Sequence, residues 1–202
     1  MKTDIYNFEK AVTDIDSISG LAAKIAVYNE LDKKQELKLT LLCEELVEML
    51  PNLLKYGKGS FWIENENNKY MIHALVEADS LLSSIDRDEI LSVSRSGKNA
   101  AAVGIMNKIR IAAEIMLANY AQTAGTSGAS IPDTPYVYYE MGQFADPIGY
   151  TDEWSLKVYR ESAKTDEKAW DELEKSIIAN LADDVTVGII EGKVEIVVIK
   201  NF

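Results

Sequence analysis

Glu48 and Asn52 stand four residues apart in the stretch ELKLTLLCEELVEMLPNLLKYGKGSFWIE, residues 36–64. On a helix that spacing puts both side chains on one face, one turn from each other. A carboxylate and an amide offer the oxygen ligands that hard cations take, so the pair can hold a Mg²⁺-bound nucleotide. A polar helix surface has the same composition. Glu44 and Glu45 continue the acidic face by one turn, which reads as a metal or general-base site or as the solvated side of an acidic protein. A second candidate is Ser94-Arg-Ser-Gly-Lys-Asn99, where Gly97, Lys98 and Asn99 open a helix. Free backbone N–H groups and a lysine at a helix start attract anions. Helix capping by Ser96 accounts for the same residues. The stretch is not a P-loop, because Ser92 occupies the place of the first glycine.

These groups need elements to carry them. Ser17 or Ser19 can cap a helix over about 18–30, with Leu21, Ile25 and Tyr28 on one face. Asp32 can cap the next, over roughly 33–56. Its wide apolar stripe of Leu39, Leu42, Cys43, Leu46, Met49, Leu50 and Leu53 must pack on a sheet or another helix. Pro51 removes one backbone donor and is expected to kink or end that helix. Ser60–Glu66 and Lys69–Ala78 form a hairpin about Asn67-Asn68, with Phe61 and Ile63 on a shared face. A short helix over about 87–92 and a longer one over about 99–121 follow, the latter with Val103, Met106, Ile109, Ala113, Met116 and Leu117 inward. Residues 122–152 are small, polar, turn-rich and aromatic, which marks an insertion. Residues 153–181 read as helix with a break near Thr165-Asp166, and Asp184–Ile190 and Lys193–Lys200 as a second hairpin about Glu191-Gly192. Helices and hairpins in this order predict an α+β two-layer sandwich, its mostly antiparallel sheet covered by helices on one face.

Composition narrows the function. The 202 residues fit one domain, 1–202, with an insertion at about 122–165. A formal charge of −12 and no basic stripe argue against nucleic acid. One cysteine, Cys43, and one histidine, His73, leave no basis for a disulfide or a Cys/His zinc centre. Cys43 reads as core and His73 as a packed strand residue. Asp183-Asp184 suits a turn. Tyr136, Tyr138, Tyr139, Phe144, Tyr150 and Trp154 form a satellite core or a partner patch. No apolar run reaches membrane-spanning length and the N-terminus has no signal-like core, so a cytoplasmic protein is expected.

The order of elements, with Glu48-x-x-x-Asn52 on a helix, Gly57 after it and Asp79 after the hairpin, resembles the ATP-binding domain of histidine kinases and its relatives. This is the GHKL or Bergerat fold, and the anti-sigma-factor serine kinases are its most similar branch. The resemblance implies ATP and Mg²⁺ as cofactors. It implies Glu48 as catalytic base, Asn52 as Mg²⁺ ligand, Asp79 as reader of the adenine amine, and Gly97, Lys98 and Asn99 around the phosphates. In a second register Glu44 takes the base position and Glu48 that of the asparagine. The family's Asp-x-Gly box reads Glu77-Ala78-Asp79-Ser80 here, without the glycine, and Ser96–Asn99 lacks paired glycines. The implied partner is a regulatory protein of the sigma-factor or antagonist type, and a homodimer is allowed. The missing glycines and Pro51 carry an alternative, a non-catalytic interaction module that keeps the fold.

Overall fold

The computed structural model describes residues 1–9, 15–53, 56–78, 105, 108–109, 112–113, 116 and 153–202. The chain begins with strand β1 (Tyr6–Glu9), then helices α1 (Ile15–Tyr28) and α2 (Lys33–Leu53). Strands β2 (Tyr56–Glu66) and β3 (Lys69–Ala78) follow, and then a helical stretch represented by residues 105, 108, 109, 112, 113 and 116. Next come β4 (Glu153–Ser155), α3 (Leu156–Ala163), α4 (Glu167–Glu174) and α5 (Ile177–Leu181), and the chain closes with β5 (Asp184–Ile190) and β6 (Lys193–Asn201). The six strands make one open antiparallel sheet in the order β1-β2-β3-β6-β5-β4. The architecture is an α+β sandwich.

Both hairpins turn as their sequences require. Asn67 and Asn68 have φ of 52° and 64°, and Glu191 and Gly192 have φ of 51° and 78°. Two consecutive left-handed residues make the turn whose twist matches paired strands. A two-residue turn fixes register, so Phe61 faces Ala74, Trp62 faces His73 and Ile63 faces Ile72. Alternate residues then enter the core: Phe61 and Ile63, Tyr70, Ile72, Ala74 and Val76, Val185 and Val187, and Val194, Ile196 and Val198. Each of the Phe, Ile and Val side chains among them contributes roughly 1.5–3 kcal/mol by leaving water.

Helix α2 covers this face. Asp32 caps it, its carboxylate accepting from the backbone N–H of Lys34 and Gln35 at 2.8 Å each, while Gln35 accepts from the N–H of Asp32 at 2.9 Å. That is a reciprocal capping box. Leu39, Leu42, Cys43, Leu46 and Leu50 are buried as the stripe predicts. The helix runs through Pro51 and stops at Leu53, short of residue 56, and Gly57 lies within β2 instead of a turn. Helix α1 starts earlier than expected, so Ser17 and Ser19 lie inside it. Its buried stripe is Ile18, Leu21, Ala22, Ile25 and Ala26. Tyr28 sits at the margin of that stripe and is 73% exposed, not inward.

The stretch read as helix from 153 differs more. Glu153–Ser155 is an edge strand, and three short helices follow, capped by Ser155, Asp166 and Ser176. The break at Thr165-Asp166 is present, and a second falls at Lys175-Ser176. Strand β1 also had no sequence expectation. Four residues are too few to show a period, and Phe8 is held there by Gly59. A Cβ on Gly59 would enter the Phe8 ring and approach the Leu75 carbonyl oxygen to 2.8 Å. Within 99–121, Ile109 and Ala113 are buried as expected, joined by Ile105 and Ala112. The expected helix at 87–92 and residues Val103, Met106 and Leu117 lie outside the described residues.

Candidate functional site

The carboxylates of α2 divide by environment. The Ser19 hydroxyl on α1 donates to Glu44 Oε1 at 2.9 Å, which ties Glu44 into the helix–helix contact. Glu48, four residues on, is exposed and has no hydrogen bond or ion pair among the described residues. Glu45 is partly buried between them in sequence. Burial first, then the charges of Glu48 and Glu44, push its carboxyl above the usual range. The cluster therefore offers one carboxylate committed to structure, one biased toward keeping a proton, and one exposed without a partner among the described residues.

Asn52 lies in the last turn of α2, within its helical backbone, so the four-residue relation to Glu48 holds. Its side chain lies outside the described residues, as do Asp79, Gly97, Lys98 and Asn99. Among the described residues, no three acidic, imidazole or thiol groups gather where they could hold a metal ion, Glu44, Glu45 and Glu48 included. What the described part of the α2 face offers is an exposed carboxylate, Glu48, one turn before the backbone position of Asn52.

The remaining singled-out residues have structural work. Cys43 is wholly buried, and burial, with a smaller effect of the Glu44 charge, raises its thiol pKa far above the ordinary value. Asp183 accepts from the backbone and side-chain N–H of Asn201 at 2.6 and 2.9 Å and from Lys200 at 2.9 Å. Burial opposes its charge, but these donors outweigh it and hold the carboxyl below the usual range. Asp184 accepts from the Ser155 hydroxyl and from the backbone N–H of Lys157 and Val185, at 2.8–3.0 Å through one oxygen. Arg160 closes the same corner by donating to the carbonyls of Asp183, Ala179 and Ala182. Trp154 is buried in the main core beside Tyr159, with ring centroids 6.1 Å apart. The aromatic residues from Tyr136 to Tyr150 lie outside the described residues.

One constellation escaped the sequence reading. On the sheet face away from α2, the His73 ring stacks on Trp62 with centroids 4.7 Å apart and planes 7° from parallel. His73 Nδ1 is 3.1 Å from Glu195 Oε1, and Nε2 is buried without a partner among the described residues. Trp62 Nε1 donates to Glu64 at 2.8 Å, and the Lys2 ammonium sits 4.5 Å from the Trp62 ring centroid and 3.0 Å from Glu64. The turn Asn67-Asn68 already implied that Trp62 faces His73. The approach of β6 with Glu195, more than a hundred residues later, left no local signal.

No helix among the described residues is long and apolar enough to cross a membrane. No protein-family model matches the chain, and no curated protein is similar to it in sequence.

Proposed function

We propose that this chain is a cytoplasmic, ATP-binding regulatory protein of the histidine-kinase ATPase type, resembling the anti-sigma-factor serine kinases. The observation that carries the reading is the placement of α2. The helix packs its apolar stripe against the sheet, keeps Glu48 exposed one turn before Asn52, and is followed by the hairpin that starts at Tyr56. Glu48 is preferred over Glu44 as the base, because Glu44 is already engaged by Ser19. When bound, MgATP supplies the transferable phosphoryl group. Glu48 would accept the proton of a Ser or Thr hydroxyl on a protein antagonist, and Asn52 would offer its amide oxygen to the metal. Asp79 is assigned to adenine, and Gly97, Lys98 and Asn99 to the phosphates. Catalysis of this kind rests on positioning and charge.

Calorimetric titration with ATP and ADP, with and without Mg²⁺, tests the proposal. Saturable, Mg²⁺-dependent binding that Asn52→Ala removes from a folded protein is the expected result. Absence of heat on folded wild-type protein would overturn it. A second reading, a non-catalytic protein-interaction module, is favoured by the glycine missing from the box at Glu77-Ala78-Asp79-Ser80, by Pro51 between Glu48 and Asn52, and by the engagement of Glu44. It predicts no nucleotide binding and a protein partner.

A further inference from the structure

We propose that His73 is a proton-driven catch on the sheet face opposite α2, holding Trp62 in place when neutral and releasing it when protonated. The argument is independent of nucleotide binding. An ionised Glu195 can only accept, so the contact at 3.1 Å places the proton of the neutral ring on Nδ1. The lone pair then lies on Nε2, which is buried and unpartnered. An unused acceptor is tolerated there. A second proton turns Nε2 into a charged donor with nothing to donate to, and a buried unpaired donor is costly.

The surroundings do not remove that conflict. Among the described residues, the charged groups facing the pair are Glu195 from β6, Glu64 from β2 and Lys2 from the N-terminal segment. Glu195 favours the imidazolium, but it is reached through Nδ1 and leaves Nε2 as it was. Glu64 is already shared between Lys2 and the Trp62 indole. The neighbours of His73 on its own face of β3 are Met71 and Leu75, which offer no strong acceptor. The His73 side chain is 13% exposed, so a small rotation brings Nε2 to water. That rotation breaks the parallel stack with Trp62. The stack links β2 to β3, and Trp62 also carries Lys2, so protonation loosens residues 1–4 from β2 as well.

The chain has one histidine, so NMR reads it without assignment ambiguity. The protein is titrated with acid from neutral pH while the His73 ring carbon and the Trp62 indole N–H are followed. The expected result is a single midpoint shared by both, with loss of the ring-current shift that Trp62 imposes on His73 in the acid form. Amide exchange at Thr3 and Ile63 should quicken several-fold below that midpoint. In His73→Gln the Trp62 transition should vanish, and Trp62→Phe should remove the ring-current shift while His73 still titrates. Persistence of the shift in the imidazolium form, or a Trp62 transition that survives in His73→Gln, would overturn the proposal.

Discussion

Ser19 on α1 and Glu44 on α2 are joined by a 2.9 Å hydrogen bond across the helix pair, and this separates two carboxylates that look equivalent in sequence. Glu44 serves packing, whereas Glu48 is exposed and has no partner among the described residues. Glu44→Gln and Ser19→Ala should each cost about 1 kcal/mol of stability, measured by urea unfolding, and leave nucleotide affinity unchanged. Glu48→Gln should leave stability within about 0.5 kcal/mol of wild type, as surface changes do, and abolish any phosphoryl transfer. Loss of transfer in Glu44→Gln with full activity in Glu48→Gln would reverse the register.

Glu45 should make stability depend on pH in an identifiable direction. Its carboxyl is held above the usual range by burial and by Glu48 and Glu44, so the folded state binds its proton more tightly than the unfolded state. Its favourable contribution is complete below the unfolded carboxylate range and is lost as pH rises through the raised folded value. Glu45→Gln should therefore raise the melting temperature at pH 7, and the gain should shrink to nothing in acid. An equal gain at both pH values would mean that packing, not charge, is responsible.

Much of the architecture was legible because local chemistry set it. Asn67-Asn68 and Glu191-Gly192 fixed both hairpins and their registers, and Asp32 with Gln35 fixed the start of α2. The core face of β2 followed from the alternation of Phe61 and Ile63. Strands β1 and β4 were not legible, since four and three residues carry no period and pairing across the sheet defines them. After Trp154 the break at Thr165-Asp166 was readable, but the strand at Glu153–Ser155 and the break at Lys175-Ser176 were not, because they rest on pairing with β5, on Asp184 at the far end of the segment and on the Ser176 cap. At the candidate site the spacing of Glu48 and Asn52 was readable, but the roles of the carboxylates were not. Those depended on Ser19, twenty-five residues from Glu44 and brought to it by helix packing.

Gly59 should tolerate no side chain. Phe8 lies across it, and a Cβ would also come within 2.8 Å of the Leu75 carbonyl oxygen. Neither the ring, buried under β1, nor the backbone can yield cheaply. Gly59→Ala should cost about 1–3 kcal/mol by overpacking. Amide exchange should show β1 protection lost first, because that four-residue edge strand pairs with β2 alone. Unchanged protection at Asn7 and Phe8 would show that the sheet adapts.

Glu191 occupies the first left-handed position of the β5–β6 turn, with φ of 51° and no glycine freedom. Asparagine tolerates that conformation and, before Gly192, gives the sequence this turn prefers. Glu191→Asn should add about 0.5–1 kcal/mol of stability through relieved backbone strain. Glu191 is exposed, so little packing is lost.

Tyr70 is wholly buried in β3, and its hydroxyl has no hydrogen-bond partner. The ring packs edge-on to Phe202 with centroids 5.3 Å apart, so its apolar part is well used. The hydroxyl was desolvated without compensation, a loss of about 1–3 kcal/mol. Tyr70→Phe keeps the ring and removes that loss. It should stabilise the protein by about 1 kcal/mol in urea unfolding with an unchanged m-value. Destabilisation instead would show that the hydroxyl is satisfied in solution by a water reaching β3 next to Phe202.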